Sequence, residues 1–92
     1  MINGDINEFI DGLYYGDERF FIYDGNKYFI QGYYETERFT LELYIIENPE
    51  NDFEWHICSK DKQYLVEEFE KAKIFNGKSF WEVEKEIEWV DC

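Results

Sequence analysis

Two runs rich in aromatic and β-branched side chains, Glu18–Tyr23 and Lys27–Tyr34, are separated by Asp24-Gly25-Asn26, and that spacing commits the chain to a β-hairpin. Asp-Gly tolerates the positive φ that a tight hairpin turn requires. A third strand is predicted over Phe39–Ile46, with Phe39, Leu41, Leu43 and Ile45 facing one way and Thr40, Glu42 and Tyr44 the other. Phe53–Cys58 alternates as well, Phe53, Trp55 and Ile57 against Glu54, His56 and Cys58. It is expected to return beside the third strand after the loop around Pro49, the only proline, where turn-forming residues cluster.

Outside this region the period changes to that of a helix. Asn3 or Asp5 can cap a first helix near 5–13, with Ile6, Phe9, Ile10 and Leu13 on one face and Glu8 and Asp11 opposite. Ser59 or Asp61 can cap a second near 61–73, whose apolar face carries Leu65, Phe69 and Ala72 before Asn76-Gly77 breaks it. Ser79 and Glu82 form a capping box, in which each side chain satisfies the other's exposed backbone N–H. That box opens a third predicted helix over 79–88, with Phe80, Val83, Ile87 and Val90 on its apolar face. The stretch Trp81–Trp89 also alternates at period two, so a strand is the competing reading. The helix is preferred because Glu and Lys favour helices and disfavour strands. The expected fold is α+β: a small antiparallel sheet of three to four strands, with one N-terminal and two C-terminal helices on one face, in a single domain spanning 1–92.

Such a small domain keeps much of its surface wet and depends on large side chains for its core. Nine Phe, eight Tyr and three Trp supply them. They also separate the chain from disordered sequences, which its net charge of −13 would otherwise resemble. No apolar run approaches the length of a membrane span, and Met1–Asp5 lacks the basic and apolar regions of a signal peptide. Cys58 and Cys92 form no disulfide framework of the secreted kind, so a cytoplasmic protein with two free thiols is expected. The absence of a basic cluster argues against direct nucleic-acid binding, which requires cations to neutralise phosphates.

Catalytic patterns are missing. His56 is the only histidine, and with Cys58 and Cys92 it falls short of the four ligands of a structural zinc site. The negative surroundings raise rather than lower a thiol pKa, which counts against Cys58 as a nucleophile. Ser59 and Ser79 sit at helix caps, and Gly12, Gly16, Gly25, Gly32 and Gly77 are scattered turn or bulge residues rather than a phosphate loop. Asn48, Glu50 and Asp52 have the alternate spacing of calcium ligands but lack the glycine and distal glutamate of an EF-hand. With twenty-two acids, proximity of two carboxylates carries no information about glycosidase-type chemistry. No enzyme, cofactor or metal is expected.

The acids themselves are left to explain. Residues 1–59 carry a net −10 and residues 60–92 a net −3. Glu82, Glu84, Glu86 and Glu88 surround Lys85 alone, and a helix would stack Glu82 on Glu86 and Glu84 on Glu88 as like-charge pairs. On strands, Glu42 and Glu54 belong to faces where alternate residues stand about 7 Å apart, comparable with successive phosphates of a nucleic-acid strand. A sheet covered on one side leaves its other side wet. Some of Phe21, Tyr23, Tyr33, Tyr34 and Tyr44 must lie there, and tyrosine is a frequent interface residue.

Ile74-Phe75-Asn76-Gly77-Lys78-Ser79-Phe80-Trp81-Glu82-Val83 through Trp89 resembles the C-terminal signature of a group of short acidic bacterial and phage proteins of uncharacterised function. Phe9-Ile10-Asp11-Gly12-Leu13-Tyr14-Tyr15-Gly16 followed by Lys27-Tyr28-Phe29-Ile30 resembles their N-terminal part. The likeness covers most of the chain and brings no activity with it. The architecture and charge are also similar to those of some anti-CRISPR proteins, which occupy the basic DNA-binding groove of an effector nuclease by mimicking DNA charge. That likeness implies no site residues.

The expectation is therefore a non-enzymatic acidic protein that binds a basic protein surface, plausibly a nucleic-acid-binding one, and acts by occlusion. Glu42, Glu54, Glu82, Glu84, Glu86, Glu88, Tyr33 and Tyr44 are the candidate contact residues, and a monomer is favoured. The alternatives are a small ligand-binding or enzymatic domain, and a domain whose charge serves solubility.

Overall fold

The computed structural model describes residues 1–46 and 54–90. The chain runs α1 (Ile6–Tyr14), β1 (Arg19–Tyr23), β2 (Asn26–Glu35), β3 (Arg38–Ile45), β4 (Trp55–Ser59), α2 (Lys62–Lys71), α3 (Phe80–Val83), a 3₁₀ turn (Glu84–Glu86) and β5 (Glu88–Val90). The five strands form one sheet in the order β4-β3-β2-β1-β5, antiparallel throughout. The fold is α+β as the sequence predicts, with one strand more. The calcium-like Asn48, Glu50 and Asp52, the Pro49 loop, Phe53 and Cys92 lie outside the described residues.

Period-two alternation places Phe21, Tyr28, Ile30, Leu41 and Leu43 on the helix-covered side, where each is buried. Asp5 caps α1 by accepting from the Asn7 N–H at 2.8 Å, and Asp61 caps α2 through the Gln63 N–H at 3.0 Å. The helices contribute Phe9, Leu13, Leu65, Phe69, Phe80 and Val83, all fully buried. Phe75, in the connection between α2 and α3, sits among the rings of Tyr28, Tyr23, Phe21, Phe80 and Phe69, with centroids 5.6–6.3 Å away.

The turn between β1 and β2 has Asp24 and Gly25 at φ 50° and 80° between the paired residues Tyr23 and Asn26. This is the type I′ geometry that Asp-Gly favours. The β2–β3 turn has the same shape without the glycine: Thr36 and Glu37 hold φ 52° and 66° between Glu35 and Arg38. A β-branched residue is strained there. Replacing Thr36-Glu37 by Asn-Gly should raise stability by about 1 kcal/mol, read as a rise of about 4–8 °C in the thermal unfolding midpoint.

The third helix is the main correction. The capping box is present, with Glu82 Oε1 accepting the Ser79 N–H at 3.0 Å. The helix it opens spans only Phe80–Val83, not 79–88. The chain then tightens into the 3₁₀ turn, and Glu88–Val90 pairs with β1, Phe21 opposite Trp89. Two physical reasons favour this course. The outer edge of β1 would otherwise present unpaired backbone groups. A continuous helix would also stack the like charges Glu82/Glu86 and Glu84/Glu88. Ile2 closes the far side of β5, donating to the Ile87 carbonyl and accepting from the Trp89 N–H, both at 2.8 Å.

Candidate protein-binding surfaces

Among the described residues two ion pairs form within 4.0 Å: the Met1 ammonium with Glu84 at 2.9 Å, and Arg19 with Asp17 at 3.0 Å. The other described carboxylates have no cation partner at that distance. All of them except the buried Glu42 are at least partly exposed, and two surfaces differ sharply in how they carry the charge.

The first is the outer surface of α1 and α2. Where the two helices pack, Tyr14 feels the charge of carboxylates from both. Burial pushes its phenol up, and the charges of Glu70, Glu67, Asp11 and Asp61 push it further. Glu70 Oε2 also accepts the indole N–H of Trp81, whose ring is 48% exposed at the start of α3. Glu67 accepts from Gln63 one turn earlier at 3.1 Å. Tyr64 on α2 and Tyr15 at the C-terminal cap of α1 stand exposed, at 46% and 73%. Glu70 thus joins α2 to an exposed aromatic ring at the start of α3, beside a negative field to which Asp11 of α1 also contributes.

The second is the side of the sheet that no described helix covers. Glu42 lies there on the central part of β3, yet is only 4% exposed. The Tyr44 hydroxyl donates to Glu42 Oε2 at 3.0 Å and the Gln31 amide to Oε1 at 3.4 Å. Desolvation, reinforced by the hydrogen bond to Glu42 and by its charge, pushes the Tyr44 phenol up to about 12. Tyr33 is likewise raised, first by desolvation and then by the charges of Glu42 and Glu35 and a hydrogen bond to Glu42. Because the folded Tyr44 pKa lies above the ordinary value of 10.0, its contribution to stability is complete below pH 10 and lost as pH climbs towards 12. Alkaline titration of phenolate absorbance should therefore show several raised tyrosines, Tyr44 with the largest shift, accompanied by falling stability, and Tyr44→Phe should remove the last phase. An unchanged titration curve in the variant would refute the assignment.

The predicted contact residues divide between these environments. Glu42, Tyr33 and Tyr44 come together on the sheet, with Glu42 as a buried acceptor rather than an exposed charge. Glu54 is exposed just before β4, and its charge helps to raise Tyr28. Glu82 is committed to the cap, whose backbone and side-chain hydrogen bonds hold its carboxyl below the ordinary range. Glu84 pairs with the Met1 ammonium, Glu86 is exposed in the 3₁₀ turn, and Glu88 accepts from Asn3 on β5 at 3.4 Å. Of the five aromatics proposed for the wet side, Tyr33 and Tyr44 lie there; Phe21 and Tyr23 are buried under the helices. Tyr34 is 65% exposed, packs edge-on against Phe39 and carries the Lys62 ammonium over its ring.

Asp11, Tyr14, Glu67, Glu70 and Trp81 were missed as a group. Gln63, Glu67 and Glu70 do have helical spacing, but the joint effect of Glu67, Glu70 and Asp11 on Tyr14 depends on helix packing across about fifty residues of sequence. Phe20 and Phe29 were also missed, although Phe20 and Ile22 alternate with Phe21 and Tyr23, leaving β1 apolar on both sides.

His56 stands opposite Glu42 across the strand pair and Cys58 is exposed. Among the described residues no three His, Cys, Asp or Glu side chains converge as metal ligands, and no helix is long and apolar enough to cross a membrane. Comparison with family models, curated proteins and solved structures finds no match to this chain.

Proposed function

We propose that this is a non-enzymatic acidic binding protein of the cytoplasm that occludes the basic, nucleic-acid-binding surface of another protein by charge mimicry, in the manner of anti-CRISPR proteins. One observation carries the reading: among the described residues only Asp17 and Glu84 have a cation within 4.0 Å, while Glu70, hydrogen-bonded to the exposed Trp81, shares with Glu67 and Asp11 the unpaired negative charge felt at Tyr14. Unpaired charge of one sign steers a partner of the opposite sign and raises the association rate. Rings beside it supply the buried contact that slows dissociation. The charged contact surface moves accordingly from the C-terminal glutamates to α1 and α2.

The test is a pull-down from host lysate eluted by salt, followed by kinetics with the captured protein. Association should weaken steeply from 0.1 M to 1 M salt, as the screening length falls from about 10 Å to about 3 Å. Asp11→Lys with Glu67→Lys should slow association about tenfold while leaving dissociation nearly unchanged. Affinity that stays flat with salt would mean that the acids are a solvated exterior.

A further inference from the structure

The side of the sheet that no described helix covers contrasts, around β1, with the rest of the molecule. Phe20 and Ile22 point there, and the residues opposite them on β2 and β5 are Phe29 and Lys27, Val90 and Glu88. This patch is four apolar residues with one cation and one anion, electrically neutral in a chain of net charge −13. Its rings form a ladder, Phe20 on Phe29 at 4.9 Å and Phe29 on Tyr44 at 6.2 Å, all partly accessible. Depletion of charge with enrichment of aromatics marks the core of an interface rather than a solvated exterior.

We propose that this patch is the interface of a homodimer in which two copies pack sheet to sheet. The arrangement of its charges selects a second copy as the occupant. Lys27 and Glu88 both lie opposite Ile22, one on each side of β1. A twofold axis running along β1 therefore sets Lys27 of each copy against Glu88 of the other, the self-complementarity that an isologous interface requires. Packed sheets stand about 10 Å apart, and this orientation turns the two acidic helical surfaces outward, away from each other. A basic partner would find no excess negative charge in the patch to recognise.

The dimer goes beyond the proposed function, and the two respond to salt in opposite directions. Screening weakens attraction to a basic partner, but it relieves repulsion between two like-charged copies. Sedimentation equilibrium of the full chain should be run at several protein concentrations in 0.1 M and 1 M salt, under reducing conditions because Cys58 is exposed. A monomer–dimer equilibrium that strengthens with salt is expected. Phe29→Gln should abolish it while circular dichroism stays unchanged. Lys27→Glu and Glu88→Lys should each weaken it, and the double exchange should restore it, which general destabilisation of the fold would not do. A monomer under every condition would overturn the proposal, as would a dimer indifferent to Phe29→Gln or to the charge exchange. So would loss of a basic partner's binding in Phe29→Gln from a chain that is always monomeric, which would assign the patch to that partner. None of these outcomes decides whether the helical acids bind a basic protein.

Discussion

Phe75→Ala should be close to the limit of what this fold tolerates. Phe75 is fully buried, and five other aromatic rings surround it, from β1, β2, α2 and α3. Truncation removes the transfer energy of a buried ring and leaves a cavity whose walls are rigid rings on different elements, with little freedom to collapse. The cost of Phe→Ala in such a site is about 3–5 kcal/mol, against a total of about 5–15 kcal/mol for a typical domain. Thermal unfolding should shift downward by about 20 °C. Phe75→Leu, which retains most of the volume, should cost less than half as much. If Phe75→Ala unfolds within a few degrees of the parent, the five-ring packing is not what joins the helices to the sheet.

Gly16→Ala should have the second-largest effect, for a reason of backbone rather than side chain. Gly16 holds φ 73°, and a Cβ added there would stand 2.7 Å from the Gly32 carbonyl oxygen. The approach is reciprocal: a Cβ on Gly32 would lie 2.9 Å from the Gly16 Cα and 2.6 Å from Phe39 Cζ. Gly16 also accepts the Gly32 N–H at 3.3 Å, which serves β2 beyond the end of its pairing with β1. Left-handed strain and overpacking together put the cost of Gly16→Ala at about 2–4 kcal/mol, or a drop of about 10–20 °C. A control at Gly25, which also has positive φ but where an added Cβ meets nothing within 4 Å, should show the strain alone and a smaller loss. Equal losses at the two glycines would mean that the Gly16–Gly32 approach contributes nothing.

Most of the fold is carried by local patterns. Alternation along β3 determined which residues meet the helices, since successive side chains on a strand must point to opposite sides. Asp24-Gly25 determined the first hairpin, and Asp5, Asp61 and Ser79 determined where each helix starts, because these signals act through neighbouring backbone groups. How long the third helix runs was not decided locally. A cap at Ser79 can start it, but whether residues 88–90 continue it or join the sheet depends on the open edge of β1, whose paired residues lie 66 to 70 positions earlier in the chain.

The sites follow the same division. Composition alone established a strongly acidic chain rich in aromatic residues. Which carboxylates act together was decided by tertiary packing. Glu42, exposed by its alternation, becomes a buried acceptor once Tyr44 and Gln31 close over it. Glu82 and Glu84 are taken up by the cap and the Met1 ammonium. Asp11 and Glu67, on separate helices, both add to the negative field at Tyr14. Charge adds up over a sequence regardless of order, so its total was legible there, whereas a surface field depends on distances that exist only after α1, α2 and the sheet have packed.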